Sequence, residues 1–191
     1  MRKIRIFEHI SLDGVIEHGE GYVHGEWTVP YRSPEGREAV EEAQGSSLDL
    51  LLGRRTYDLW SGYWPKAPSG PIADNFNAAI KYIATHRPDS LEWGPVEDLG
   101  ADIVEGIRRV KSMDGPDLIV WGSSTLTSVL LEHGLVDEVL LFVYPVLLGQ
   151  GKRLFSDSAH ARELALVSTK ALSTGVVMNT YRYVGSLPTA K

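Results

Sequence analysis

The chain has 191 residues, enough for one sizeable core and too few for two ordinary domains. A net charge of -6 argues against a broad attraction to nucleic acid or to anionic membrane, so any basic residue with a task must act locally. The absence of cysteine excludes disulfides, thiolate catalysis and Cys-ligated zinc or iron–sulfur clusters, and fits a reducing compartment.

The opening "MRKIRIFEHISLDG" meets Glu8 and His9 before an apolar stretch can grow, so it does not read as a signal peptide. No later run reaches the roughly 20 apolar residues of a membrane span, and a cytoplasmic protein is expected. Ile4, Phe7 and Ile10 lie in a β-rich segment that ends at the turn dipeptide Asp13-Gly14. Residues 17–34, rich in Gly, His, aromatic residues and Pro, read as a long loop. Ser33-Pro34-Glu35 is a good helix start, and Ala39, Val40 and Ala43 share a face behind it. Residues 48–52, 80–84 and 117–121 are apolar runs of buried-strand type. Between and after them, Ile103, Ile107 and Val110, then Leu126, Val129, Leu130 and His133, recur at helical spacing. Strands alternating with helices predict an α/β domain with a largely parallel sheet. The runs 136–148, 162–172 and 175–184 are strand-like, with Ser173-Thr174-Gly175 as a hairpin turn, so the sheet is expected to finish antiparallel. No repeat or linker divides the chain, and a single domain over residues 1–191 is expected.

Chemistry gathers where strands end. At Gly53 a greasy run gives way to Arg54, Arg55 and Thr56. A helix starting near Arg55 would offer free N–H groups and a positive dipole end to a phosphate. The plainer alternative pairs the arginines with Asp58 and leaves Thr56 as a cap. At Gly122 a second apolar strand meets Ser123, Ser124 and Thr125, with a helix starting near Ser124; this too suits an anion. A third strand ends in Thr85, His86 and Arg87, which would complete a phosphate and ribose cradle or form a surface loop. Gly149-Gln150-Gly151 lacks the spacing of a P-loop or a dinucleotide fingerprint. The six histidines are scattered, and no metal site is expected.

In order along the chain, "SLDG", "GRRTYD", "WGSSTL" and "GLVDEVLLFVYPVLLGQGKRLF" resemble the dihydrofolate reductase-like superfamily. Within it the likeness is to the C-terminal reductase domain of the bifunctional riboflavin-biosynthesis deaminase–reductase. The resemblance implies a three-layer α/β/α fold, its central sheet mostly parallel with an antiparallel C-terminal hairpin, that binds NADPH. Carried over, Arg54 would hold the adenosine 2′-phosphate, with Gly53, Arg55 and Thr56 at the same helix start. Thr85, His86 and Arg87 would lie beside the adenosine, and Gly122, Ser123, Ser124, Thr125 and Leu126 beside the pyrophosphate and nicotinamide. Ser11, Asp13 and Gly14 would edge the substrate pocket, with the segment from Tyr144 to Gly149 next to it.

The implied reaction is hydride transfer to a carbon–nitrogen double bond of a pyrimidine- or pterin-like substrate, as in 5-amino-6-(5-phosphoribosylamino)uracil reductases. Asp13 is then the candidate proton donor, against the alternative that it only bonds its own turn. Of the aromatics Tyr22, Trp27, Tyr31, Trp60, Tyr63 and Trp64, Trp27 is the candidate to stack on a flat heterocycle, while Trp60 and Trp64 read as core plugs or dimer contacts. Departures from the family pattern are Trp121 where an acid is common, Gly122-Ser123 in place of Gly-Gly, and Arg37 where a folate reductase has its pterin-binding acid. They keep open a nucleotide-binding module without catalysis, and more distantly a folate reductase. A homodimer through the apolar C-terminal strands is expected.

Overall fold

The computed structural model describes residues 1–17, 24–155 and 160–189. The strands are β1 (Ile4–Ser11), β2 (Val15–Glu17), β3 (Leu48–Gly53), β4 (Lys81–Ala84), β5 (Val96–Asp98), β6 (Asp117–Trp121), β7 (Glu138–Tyr144), β8 (Lys152–Arg153), β9 (Arg162–Ala171) and β10 (Val177–Ser186). The α-helices are α1 (Pro34–Gln44), α2 (Arg54–Ser61), α3 (Pro71–Ala78), α4 (Ile103–Ser112) and α5 (Ser124–Glu132). Eight strands form one sheet in the order β5-β4-β3-β6-β1-β7-β10-β9, parallel as far as β7 and antiparallel from there to the β9 edge. The α/β fold expected from the sequence, with a mostly parallel central sheet and an antiparallel C-terminal hairpin, is the one found.

Alternation along the central strands divides the core into two layers. Leu48, Leu50 and Leu52 of β3, Phe7 of β1, Ile119 and Trp121 of β6 and Phe142 of β7 pack with Ala39, Tyr57 and Phe76 from α1, α2 and α3. Leu51, Ile4, Ile6, Leu118, Val120 and Val139 point the other way, against Ile107 and Val110 of α4 and Leu126 and Leu130 of α5. Each layer buries apolar surface at about 25 cal/mol per Å². In that alternation Glu8 falls on the α4/α5 side and His9 on the α1/α2 side.

The helix starts follow their caps. Ser33 Oγ accepts from the Gly36 N–H at 3.0 Å, with Pro34 in the first turn of α1. Glu35 accepts from the N–H and hydroxyl of Ser173, at 2.9 and 2.5 Å, and so ties α1 to the β9–β10 turn. Three features went unanticipated: α3, the short pair β2–β8 and the edge strand β5. The stretch expected as a loop from 17 to 34 holds the end of β2 and a 3-10 turn at Val29–Tyr31; Tyr22 lies outside the described residues.

Candidate cofactor and substrate cleft

A cleft of about 1020 Å³ opens along the carboxyl ends of the parallel strands, the place where open α/β sheets take their ligands. Ordinary small-molecule pockets span roughly 300–1,000 Å³, so this one suits an extended ligand. Two helix starts form its rims. Gly53 precedes α2 and Ser123 precedes α5, and neither helix is capped by its own side chain. Both first turns line the cleft, which leaves their N–H groups and positive dipole ends available to an anion.

The two rims are laced together. The Gly53 N–H donates to Ser123 Oγ at 2.9 Å, the Ser123 hydroxyl donates to Thr56 Oγ1 at 3.1 Å, and the Ser123 N–H donates to the same oxygen at 3.1 Å. This geometry depends on two successive left-handed residues, Gly122 at φ 57 and Ser123 at φ 51. A Cβ on Gly122 would stand 3.1 Å from Thr56 Oγ1, so glycine leaves room for the lacing. Thr56 therefore does not cap its own helix, as the plainer alternative had it; it holds the neighbouring loop.

Arg54 lines the cleft, but its guanidinium is engaged. Nε donates to Asp58 at 2.7 Å, and two terminal N–H groups reach the carbonyls of Arg87 at 2.7 Å and Ser90 at 3.5 Å. It thereby braces the loop after β4. Arg55 pairs with Glu17, and Arg87 lies 3.9 Å from Asp58. Opposite, the start of α4 (Ala101, Asp102, Ile103, Val104) and the Leu126, Val129, His133 flank of α5 form a largely apolar slot. Asp102 fixes that start by accepting from the Glu105 N–H at 3.0 Å.

On the α1/α2 side the wall is aromatic: His9, Trp121, Trp60 and the aliphatic Leu59. The His9 ring packs 5.2 Å from Trp121 and 5.0 Å from Phe142, and its Nδ1 lies 3.0 Å from the Tyr144 hydroxyl. Burial, with Arg32 adding to it, lowers the His9 imidazole to about 4, and burial raises the Tyr144 phenol to about 12. Both are neutral at pH 7. On the other side of β1, Glu8 is 6% exposed and also lines the cleft. One carboxyl oxygen accepts from the His9 N–H at 3.1 Å; Oε2 has no hydrogen-bond partner. Burial raises this carboxyl to about 8.

Residues 2–178 match the family described as the RibD C-terminal domain. The chain belongs to that family. Among its relatives is the uncharacterized protein YyaP of Bacillus subtilis, 28% identical over 188 residues that cover 96% of each chain. Among solved structures, a putative riboflavin biosynthesis protein from Shewanella sp. PV-4 superimposes with a TM-score of 0.71 at 19% identity, over 95% of this chain and 99% of that one. Dihydrofolate reductase from Enterococcus faecalis, determined with NADP(H), gives 0.59 at 16% identity, over 95% and 96%.

In this RibD C-terminal domain the structure brings together Gly53, Arg54, Arg55, Thr56, Thr85, His86, Gly122, Ser123, Ser124, Thr125 and Leu126 around the cleft. Arg87 stays outside its lining, at the Asp58 rim. Ser11, Asp13, Gly14 and Gly149 form a separate lock. Asp13 accepts from the Ser11 hydroxyl at 2.6 Å, the Leu148 N–H at 3.1 Å and the Gly149 N–H at 2.7 Å. The Ser11 hydrogen bond leads in holding its carboxyl down at about 2. Such an acid has no proton to give at neutral pH, and the candidate donor is corrected to a structural clasp between the β1 turn and the segment after β7. Trp27 and Tyr144 meet edge to face at 5.0 Å outside the cleft lining, and the aromatic rings that line it are those of His9, Trp121 and Trp60. Trp60, expected as a plug, stacks on Phe76 at 5.0 Å and still reaches the cleft. Sequence reasoning missed Glu8, His9, Ile103, Val104 and Val129. Alternation along β1 was the one available signal, since it puts an acid on a face that is otherwise isoleucine.

Proposed function

We propose that this RibD C-terminal domain is an NADPH-dependent reductase that reduces a carbon–nitrogen double bond of a pyrimidine- or pterin-like heterocycle, as 5-amino-6-(5-phosphoribosylamino)uracil reductases do. The observation that carries the reading is the pair of uncapped helix starts facing one 1020 Å³ cleft. A dinucleotide has two features that such a cleft answers, a pyrophosphate for the helix starts and flat rings for the walls. The residues present fit the group: Ser124 Oγ, at the start of α5, is buried without a partner and could donate to a phosphate oxygen. Ile103, Val104 and Val129 would flank the adenine, and His9 and Trp121 would border the reacting heterocycle.

When bound, NADPH supplies the hydride. The protein's part is to orient both partners and to exclude water, for which the aromatic wall serves. Two further expectations belong to this reading, a homodimer built on β9 and β10 and a cytoplasmic location.

Titration with NADPH, NADP and NADH is the deciding measurement. NADPH is expected to bind and to be oxidised in the presence of an aminopyrimidine or pterin. Equal or absent binding of all three removes the reading, and binding without oxidation across the panel leaves a nucleotide-binding module. Arg54→Ala is expected to lower NADPH affinity about tenfold or more while changing NADH little, because a charge-assisted bond to the extra phosphate from the guanidinium N–H groups not taken by Asp58, Arg87 and Ser90 would be lost. Equal losses for both cofactors would instead show that Arg54 acts by bracing the loop after β4.

A further inference from the structure

The Glu8 carboxyl is a polar group in the cleft that the reductase reading does not use. The parallel register that places Phe7 beside Trp121 puts Glu8 next to Gly122, under the left-handed step that opens α5. Its first oxygen accepts from the His9 N–H, and the Gly122 N–H also approaches the carboxyl. Its second, Oε2, is buried and has no partner of ordinary hydrogen-bond geometry. An ionised carboxylate there would be a buried charge with no counter-ion, and its burial outweighs the His9 and Gly122 N–H groups, with the Glu17 carboxylate near enough to oppose it further. A neutral carboxyl leaves a different deficit: an O–H donor on Oε2 without an acceptor. The cost of such an orphan is removed by a ligand oxygen.

We infer that Glu8 enters the cofactor complex as a carboxylic acid and donates its proton in a hydrogen bond to an acceptor oxygen of the dinucleotide beside Gly122. The inference rests on the reductase reading above and adds a binding residue to it. Burial, which raises this carboxyl to about 8, keeps the donor loaded at neutral pH. Ionisation at higher pH removes the donor and sets a negative charge against an anionic ligand. Binding of NADPH is therefore coupled to the protonated form of Glu8, and a complex formed above that pH takes up a proton.

Other groups around the cleft have different pH windows or no titration there. His9 is neutral throughout, at about 4. Glu17 is paired with Arg55, and Arg54 with Asp58. Asp102 caps α4. A ligand monophosphate loses its second proton near 6. Lys81, which burial lowers to about 8, loses its charge in the same interval but lies outside the cleft lining, so the comparison with Glu8→Gln separates the two groups between pH 7 and 9.5.

The test is NADPH affinity across that interval for the wild type, Glu8→Gln and Glu8→Leu, with circular dichroism to establish that each folds. Wild-type affinity is expected to hold near pH 7 and then to fall towards tenfold per pH unit above about 8. Glu8→Gln, which keeps an N–H donor and cannot ionise, should bind with a flat profile. Glu8→Leu should bind a few-fold to about tenfold more weakly at pH 7, the loss of one neutral hydrogen bond. A flat wild-type profile, a decline that persists in Glu8→Gln, or undiminished binding by Glu8→Leu overturns the inference alone. Failure of the wild type to bind NADPH at any pH overturns the reductase reading, and this inference with it.

Discussion

Asp13 accepts three hydrogen bonds, from Ser11, Leu148 and Gly149, and spends its charge on the fold. Hydrogen bonds to a charged acceptor are worth about 1.5–3 kcal/mol each at most, so Asp13→Asn should destabilise the protein by about 1–3 kcal/mol near pH 7. Its folded pKa, about 2, lies below the ordinary 3.8. The stabilisation is therefore complete above pH 4 and is lost as pH falls through 2. Urea denaturation from pH 7 down to 2 should show the wild-type advantage over Asp13→Asn fading in that window. In the same variant, NADPH binding and turnover should fall together; a selective loss of turnover would return Asp13 to the chemistry. "SLDG" advertises Asp13 because a turn acid is conspicuous, whereas Glu8 gains its meaning from Gly122, 114 positions away, across the β1–β6 pairing. Arg54 shows the same limit. Its spacing to Asp58 was readable as i to i+4, but its hold on the Arg87 and Ser90 carbonyls required the loop after β4 to be placed.

At the scale of the element, α4 is the most tightly seated part of the cleft. A Cβ on Gly106 would come within 2.0 Å of the Leu99 carbonyl oxygen, so the helix can approach that backbone only with glycine. One turn earlier, Ile103 and Val104 form the slot. Gly106→Ala should push α4 outward, cost about 1–3 kcal/mol or more through overpacking, and weaken NADPH binding. A thermal melt beside a cofactor titration checks both, and unchanged binding in a destabilised protein would remove α4 from the site. The periodicity of Ile103, Ile107 and Val110 announced this helix, because a buried stripe repeats locally. The strand runs at 48–52 and 117–121 were legible for the same reason, being buried on both faces. The short elements β2, β5 and β8 were not, since two or three residues carry no period and their pairing is entirely non-local.

Over the whole molecule, the sheet is unequal from end to end and from side to side. At the amino ends of the strands, Arg2 pairs with Asp49, donates to the Pro116 carbonyl at 2.6 Å and reaches the Tyr82 hydroxyl at 3.3 Å, while Asp49 also accepts from the Ile80 N–H at 2.9 Å. Polar groups there are mutually satisfied, whereas at the carboxyl ends the first turns of α2 and α5 carry no side-chain cap. At one side, β9 is a ten-residue edge with Leu166 and Val167 58% and 61% exposed. Long apolar edges invite pairing with another chain. The doubly substituted Leu166→Lys, Val167→Glu protein should sediment as a monomer under conditions where the wild type sediments as a dimer; a wild type already monomeric at micromolar concentration would refute the proposed self-association. The hairpin itself was plain in the sequence, through Ser173-Thr174-Gly175 and the flanking strand runs.

The bonds among Gly53, Ser123 and Thr56 bear on timing. Because one hydroxyl joins both rims, the entrance has its shape before anything arrives, and no closing motion at that point is needed to assemble it. A visitor meets a finished seat, surrenders little freedom of the host on entering, and can leave without waiting for the two loops to part.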